Sequence, residues 1–409
     1  MQNETPVLYK FQEKAIDDLS NGKHFAILGC GCGKTAIALN WMSFVVKETN
    51  IKRVCVWTTA SKAHSTDWDD ERKIFVPKCR LDKFEVISWN KAAAWVSEHS
   101  KELDSWVFIF DEIQRGKAGV SSGMGKAFLK VANRTENWIG ITATPGDNWL
   151  HFYPYFQACG LIPNKTTFLK TFAITQTFKG FPEIVGWVSE DVLKKWWDEI
   201  STVPDTSQMY KELPPEIHKV VEFHKPKGYD KLRRTRINDK GEFLETTMGL
   251  CHALREMSFT KEKQQWIHDF IEGLGTNAVL FYNYIEEGDE LEQIIKRARK
   301  EAKVWRIDGK SHDIPTESTI GKYDIVLCQW QSGSEALNLQ FLQYWVSVTP
   351  TYSYMTSVQA RGRIKRIGQK HNCMFFYYLK CDGIESDVYK ALKDKKDFVE
   401  DVYINEEDK

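Results

Sequence analysis

The run Gly29-Cys30-Gly31-Cys32-Gly33-Lys34-Thr35 constrains this chain more than any other stretch. Ahead of it lies a short apolar segment, His24 to Leu28, that reads as a buried strand. Behind it, Ala36 to Met42 has the Ala, Leu and Met content of a helix. Strand, glycine loop and helix together make the layout of a phosphate-binding loop. Glycines let backbone N–H groups curl around phosphate oxygens, and the helix N-terminus adds partial positive charge. That layout assigns Gly31 and Gly33 to the cradle, Lys34 to the β- and γ-phosphates of ATP and the Thr35 hydroxyl to Mg2+. Leu28 stands where the usual G-x-x-x-x-G-K-[ST] pattern has its first glycine.

Trp106 to Phe110 is a wholly apolar run that ends in two carboxylates, Asp111 and Glu112. A buried strand ending this way puts both acids at the C-terminal edge of a sheet, where α/β proteins bind ligands. Asp111 would then hold Mg2+, usually through water, and Glu112 would orient and deprotonate an attacking water. Alone, the pair is no more than an acidic turn after a strand. Downstream of a phosphate loop it reads as the second half of an ATP site.

The 409 residues have room for two or three domains, and 42% hydrophobic with 27% charged residues describes a well-cored soluble protein. No apolar run approaches the ~18 residues needed to cross a membrane. The opening Met1-Gln2-Asn3-Glu4-Thr5 lacks the basic and apolar regions of a secretory signal. The expectation is an intracellular protein of cytoplasm or nucleoid. Nine cysteines are scattered, and the close pair Cys30 and Cys32 lies inside the glycine loop, where a metal would compete with phosphate, so all are read as reduced thiols. Lys+Arg equal Asp+Glu at 56 each, so any nucleic-acid binding must come from local patches. Lys225 to Lys240, with Arg233, Arg234 and Arg236, and Arg361 to Lys370 qualify, although basic runs are commonly only solvated faces.

Further strand-like runs begin at Val54, Phe84, Trp138 and His218, and in the second half at Ala278, Val304, Ile325, Trp345 and Met374. They alternate with helical patterns, among them an amphipathic stretch from Leu8 to Leu19 and a basic helix from Leu291 to Lys303, which argues for parallel sheets flanked by helices. Residues 146–210 are aromatic and less periodic, and read as a packed helical insertion whose Tyr153, Tyr155, Phe156, Trp187, Trp196 and Trp197 form core. Asn238-Asp239-Lys240-Gly241 is a turn signal, and the lobe boundary is placed near it, giving lobes 1–225 and 226–409.

Together these stretches resemble superfamily 2 helicases and translocases, specifically the SWI/SNF-type branch, from about residue 8 to 395. The most specific match is Gln359-Ala360-Arg361-Gly362-Arg363-Ile364-Lys365-Arg366-Ile367-Gly368-Gln369, which fits the branch's sixth motif, Q-A-x-G-R-x-x-R-I-G-Q. Asp111-Glu112-Ile113-Gln114 is similar to the D-E-x-H box, and Thr142-Ala143-Thr144-Pro145, with Asn148 after it, to the third motif. Phe11-Gln12 resembles the adenine-reading glutamine motif, and Arg306-Ile307-Asp308-Gly309 matches R-x-D-G. Three features depart from the pattern. Gln114 replaces the usual histidine, and the fifth motif keeps Gly333, Asn338 and Leu339 but has Ser334 and Ala336 where glycines are expected. The segment from Gly309 to Tyr323 is shorter than the family's, so the resemblance is to a pared-down motor, and chromatin remodelling does not follow from it.

The resemblance implies an α/β fold of two RecA-like P-loop NTPase lobes with a helical insertion in each. It implies a nucleic-acid-stimulated ATPase using ATP and Mg2+ and tracking along nucleic acid, double-stranded DNA first, without necessarily separating strands. A strand-separating DNA or RNA helicase and an ATP-gated clamp with little turnover stay open beside it, as does any recruiting protein. The catalytic set would be Lys34, Asp111, Glu112, Arg363 and Arg366, with Gln12 and Gln359 at the nucleotide. Motif position assigns nucleic-acid contacts to Thr59, Ser61, Lys62, Ser88, Asn283 and Ser332.

Overall fold

A computed structural model describes residues 6–146, 148–178, 181–311, 313–333 and 337–394. Ser334 and Ala336 of the fifth motif lie outside the described residues. The chain divides into two compact units, Met1–Tyr210 and Lys211–Lys409.

In the first unit the strands are β1 (Phe25–Ile27), β2 (Arg53–Thr58), β3 (Lys83–Ser88), β4 (Val107–Asp111), β5 (Trp138–Thr142), β6 (Ala173–Phe178), β7 (Phe181–Trp187) and β8 (Ser201–Thr202). Six of them form one parallel sheet in the order β3-β2-β4-β5-β1-β8. Every residue of β4 and β5 is buried, as expected of parallel strands covered by helices on both faces. The register pairs Asp111 with Ile141 and Thr142 with Ile27, so the ends of β4, β5 and β1 come together at one edge of the sheet. The glycine loop leaves that edge and leads into the helix Lys34–Thr49.

The aromatic stretch after residue 146 is core, as its composition predicts. Tyr153, Tyr155, Phe156 and Phe168 are buried against Trp138 and Phe128, with Trp187, Trp196 and Trp197 packed alongside. The segment is not wholly helical, however. Between the helices Lys165–Phe172 and Glu190–Ile200 the chain forms the antiparallel hairpin β6–β7, and β8 then joins the main sheet beside β1.

The second unit contains β9 (Glu216–Phe223), β10 (Ala278–Tyr282), β11 (Val304–Ile307), β12 (Ile325–Gln329), β13 (Tyr344–Ser347) and β14 (Met374–Cys381). These too are all parallel, in the order β11-β12-β10-β13-β14-β9. Strand β9, which precedes residue 225, thus belongs to the second sheet through its pairing with β14. The helix placed at Leu291–Lys303 runs instead over Ile285–Ala298, because Glu287 caps its start by accepting the backbone N–H of Tyr284 at 3.2 Å. Short helices at Tyr229–Thr235 and Thr247–Ser258 precede β10, and Asn238 to Gly241 is a turn whose Asn238 Oδ1 accepts the N–H groups of Lys240 and Glu242. Both units are therefore α/β, each a six-stranded parallel sheet flanked by helices, as two RecA-like lobes require. Among the described residues no helix is long and apolar enough to cross a membrane.

Two charged clusters brace the second sheet at its C-terminal edge. Lys263 and Glu385, each wholly buried, pair at 2.6 Å, and Glu385 also accepts the backbone N–H of Cys381 at 2.7 Å. Asp308 of the R-x-D-G run accepts the Tyr282 hydroxyl at 2.7 Å, Arg306 Nε at 2.5 Å, and the N–H groups of Lys310 and Ser311 at 2.7 and 2.9 Å. The motif thus ties the end of β11 to the end of β10.

Candidate nucleotide and nucleic-acid sites

The glycine loop has the backbone its sequence demands. Gly31 and Gly33 have φ of +80° and +71°, left-handed values that a side chain would strain. A Cβ at Gly33 would also stand 2.3 Å from Gln12 Nε2. Gln12 is buried, its amide donating to the Cys32 carbonyl at 3.1 Å while its Oε1 accepts the Tyr9 N–H at 2.9 Å. The expected nucleotide-reading glutamine is therefore braced against the loop that would hold the phosphates. Lys34 donates to the carbonyls of Leu28 and Gly29, each at 3.2 Å, which bends its ammonium back over the loop. Thr35 is the second residue of the helix and half-buried.

A contact the sequence does not announce is made by Tyr210. Its hydroxyl lies 3.5 Å from Cys32 Sγ and where a Cβ on Gly29 would be, so the end of the first unit rests on the glycine loop. The two residues are 178 positions apart, and nothing local signals the pairing. Burial pushes the Cys32 thiol pKa up, which removes the thiolate that a reactive or metal-binding cysteine needs.

Asp111 is 1% exposed and ends β4 at the same sheet edge. Its Oδ2 accepts the Thr58 hydroxyl at 2.7 Å and the Lys62 ammonium at 3.0 Å. Burial works against the ionised form, but Lys62 and Thr58 outweigh it and hold the carboxyl below the usual carboxylate range. Trp89 Nε1 donates to the Asp111 carbonyl at 2.7 Å and fixes the backbone there. A buried carboxylate kept ionised and a hydroxyl at the start of the loop helix are hard oxygen donors, the set that suits Mg2+.

Glu112 adopts φ +54°, ψ +52°, a left-handed conformation costing of order 1–3 kcal/mol in a residue with a side chain. The turn points the next carboxylate into a chain of hydrogen bonds. Gln114 Nε2 donates to Glu112 Oε2 at 2.6 Å, Thr142 Oγ1 donates to Gln114 Oε1 at 2.6 Å, and the Thr144 N–H donates to Thr142 Oγ1 at 2.9 Å. The glutamine in place of histidine thus joins the acidic box to the third motif directly.

The expected nucleic-acid contacts in this unit are placed less openly. Thr59 and Ser88 are buried, and Ser61 is half-buried. Thr59 caps the short helix Ala60–His64, accepting the Lys62 N–H at 3.5 Å. The Lys62 ammonium is paired with Asp111 instead of reaching outward.

In the second unit the helix Tyr354–Arg361 carries Gln359, and Arg363 and Arg366 follow in the turn after it. Arg366 donates to Asn338 Oδ1 and, at 3.4 Å, to the Leu337 carbonyl, while the Leu339 N–H donates to the Arg363 carbonyl at 3.2 Å. Gln369 Nε2 adds a bond to the Leu342 carbonyl at 3.0 Å. The fifth and sixth motifs are therefore stitched to each other, with Gln359, Arg363 and Arg366 all half-buried. Ser332 is half-buried in the short helix Trp330–Gly333 that follows β12. Asn283 is engaged within the fold, its amide donating to Thr349 Oγ1 at 2.9 Å and to the Pro350 carbonyl at 3.0 Å. That amide holds the ends of β10 and β13 together.

Comparison with known proteins was made at three levels. No family model matches the chain. A curated relative, the DNA excision repair protein ERCC-6-like of Bos taurus, is 29% identical over 107 residues, which cover 24% of this chain. The match spans only 8% of that protein's length. Among solved structures, the Sulfolobus solfataricus SWI2/SNF2 ATPase core in complex with dsDNA is 15% identical with a TM-score of 0.45, over 98% of this chain and 94% of that one. In its motifs the chain is similar to the SWI/SNF-type superfamily 2 ATPases.

Proposed function

We infer that the protein is a motor that binds ATP with Mg2+, hydrolyses it, and uses the cycle to translocate on nucleic acid, double-stranded DNA first. The observation that carries the reading is the single sheet edge of the first unit. It gathers a left-handed glycine cradle, a buried ionised Asp111 and a left-handed Glu112 held by Gln114. Phosphoryl transfer needs little covalent chemistry from a protein, and such an edge supplies positioning and charge. Lys34 and the loop amides would take the β- and γ-phosphates, Thr35 and Asp111 the metal, and Glu112 the attacking water. Gln12 and Gln359 would contact the nucleotide. Arg363 and Arg366 would neutralise charge developing on the γ-phosphate, each offering the planar fork that lysine lacks.

The DNA assignment is supported by the sixth motif and by the name of the curated relative, a DNA excision repair protein. Backbone phosphates would be met by Thr59, Ser61, Lys62 and Ser88 in the first lobe and by Asn283 and Ser332 in the second, the buried ones through their backbone amides. Two variants test the ATP site together. Lys34→Ala should abolish ATP binding and turnover in a folded protein, whereas Glu112→Gln should bind ATP and fail to hydrolyse it. Unchanged hydrolysis by folded Lys34→Ala would remove the reading.

A further inference from the structure

Motif position assigns Lys62 to the nucleic-acid backbone, yet its ammonium is folded inward to Asp111 Oδ2 at 3.0 Å. Its side chain is 23% exposed and passes near the Trp68 ring, whose centroid lies 6.0 Å from Nζ. Lys62 sits within the five-residue helix Ala60–His64 that follows β2, and its half-buried side chain is free of the sheet's hydrogen-bond ladder. Asp111, in contrast, ends a fully buried strand.

A buried carboxylate needs a counter-charge, and removing the partner of a buried pair is strongly destabilising. Lys62 supplies that charge on the same oxygen that Thr58 contacts. A divalent cation at Asp111 would supply it more strongly and would repel the ammonium. Lysine and metal are thus competitors for one carboxylate.

We propose that Lys62 is an exchangeable counter-ion for Asp111, displaced when Mg2+ arrives with nucleotide and thereby delivered to a backbone phosphate of the bound nucleic acid. The exchange couples nucleotide loading to nucleic-acid affinity through one side chain. It rests on the assignment of the first unit's ATP and Mg2+ site made above.

The test is a set of equilibrium titrations on the full chain carrying Lys62→Gln, with Lys62→Met as a second variant that keeps the apolar stem beside Trp68. A fluorescent non-hydrolysable ATP analogue is titrated in Mg2+ and in EDTA. A duplex DNA oligonucleotide is titrated with and without the Mg2+-bound analogue. With its competitor gone, the metal should bind more easily: the Mg2+ concentration for half-saturation should fall about tenfold. Analogue binding in EDTA should be unchanged, and the gain in duplex affinity on adding the Mg2+-bound analogue should shrink. Weaker Mg2+-analogue binding in both variants would make Lys62 a phosphate ligand and overturn the proposal. An unchanged Mg2+ requirement would overturn it too, leaving a structural ion pair. Lys34→Ala in the same titrations separates the two levels: wild-type analogue binding there would sink the ATP site itself, not the exchange alone.

Discussion

The Gln114 amide nitrogen lies 2.6 Å from Glu112 Oε2, and the same side chain accepts the Thr142 hydroxyl at 2.6 Å through its oxygen. One residue thus fixes the rotamer of the carboxylate proposed to handle the attacking water. It also connects that carboxylate, through the Thr142 hydroxyl, to the end of β5.

Removing that link should lower turnover without touching nucleotide affinity. In Gln114→Ala we expect kcat for ATP to fall about tenfold to a hundredfold, with the Kd of a non-hydrolysable analogue unchanged. Gln114→His restores a ring donor and should recover much of the loss. Steady-state kinetics beside equilibrium binding check this, and a loss confined to affinity would place Gln114 in the binding of nucleotide instead.

Arg366 is the second site of interest. An arginine finger is worth roughly 10³–10⁵ in turnover. Arg366→Lys should therefore keep ATP binding and lose nearly all nucleic-acid-stimulated hydrolysis, while Arg361→Lys, outside the two matched arginine positions, should do far less. Equal small losses in both would make the sixth motif a nucleic-acid patch.

Asp308 gives a pH signature. Burial alone would raise its pKa, but the Tyr282 hydroxyl, Arg306 and two backbone N–H groups win and hold it at about 2. A group depressed in the folded state stabilises it above the unfolded carboxylate pKa of ~3.9 and loses that contribution as pH falls toward the folded value. Asp308→Asn should cost about 2 kcal/mol at pH 7, and the difference from wild type should shrink between about pH 4 and pH 2. Denaturant unfolding at a series of pH values measures it, and a pH-independent difference would contradict the assignment.

The pair Lys263–Glu385 is wholly out of water. Lys263→Met or Glu385→Leu alone should destabilise the second unit by about 3–5 kcal/mol, because each strands one buried charge, whereas the double substitution should recover most of that loss. A double mutant as unstable as the sum of the singles would show that the neighbouring backbone bonds, not the pair, carry the energy.

Much of this architecture is legible in the residues themselves. Runs such as 107–110 and Ala278–Tyr282 are apolar on both faces, a pattern that parallel strands under helices share. The glycine loop shows its chemistry locally as well, since a left-handed backbone needs glycine. The hairpin β6–β7 was not legible, because the aromatic residues on either side of it serve a helix core and a strand core equally well. Nor were the pairs that give the site its character. Lys62 with Asp111, Gln114 with Thr142 and Arg366 with Asn338 are separated by 49, 28 and 28 positions, and sheet register or loop packing brings each together. Motif position sent Lys62 outward, and only the depth of Asp111 shows why it turns in.

The most direct test of the account is steady-state ATP hydrolysis by the full chain in four conditions: no nucleic acid, duplex DNA, single-stranded DNA and RNA. A duplex-tracking motor should hydrolyse slowly alone and be stimulated most by duplex DNA, with the stimulation falling steeply as salt rises because the contacts are to phosphates. Stimulation by single strands or RNA above duplex would favour a strand-separating helicase, and hydrolysis that no nucleic acid accelerates would contradict the motor altogether.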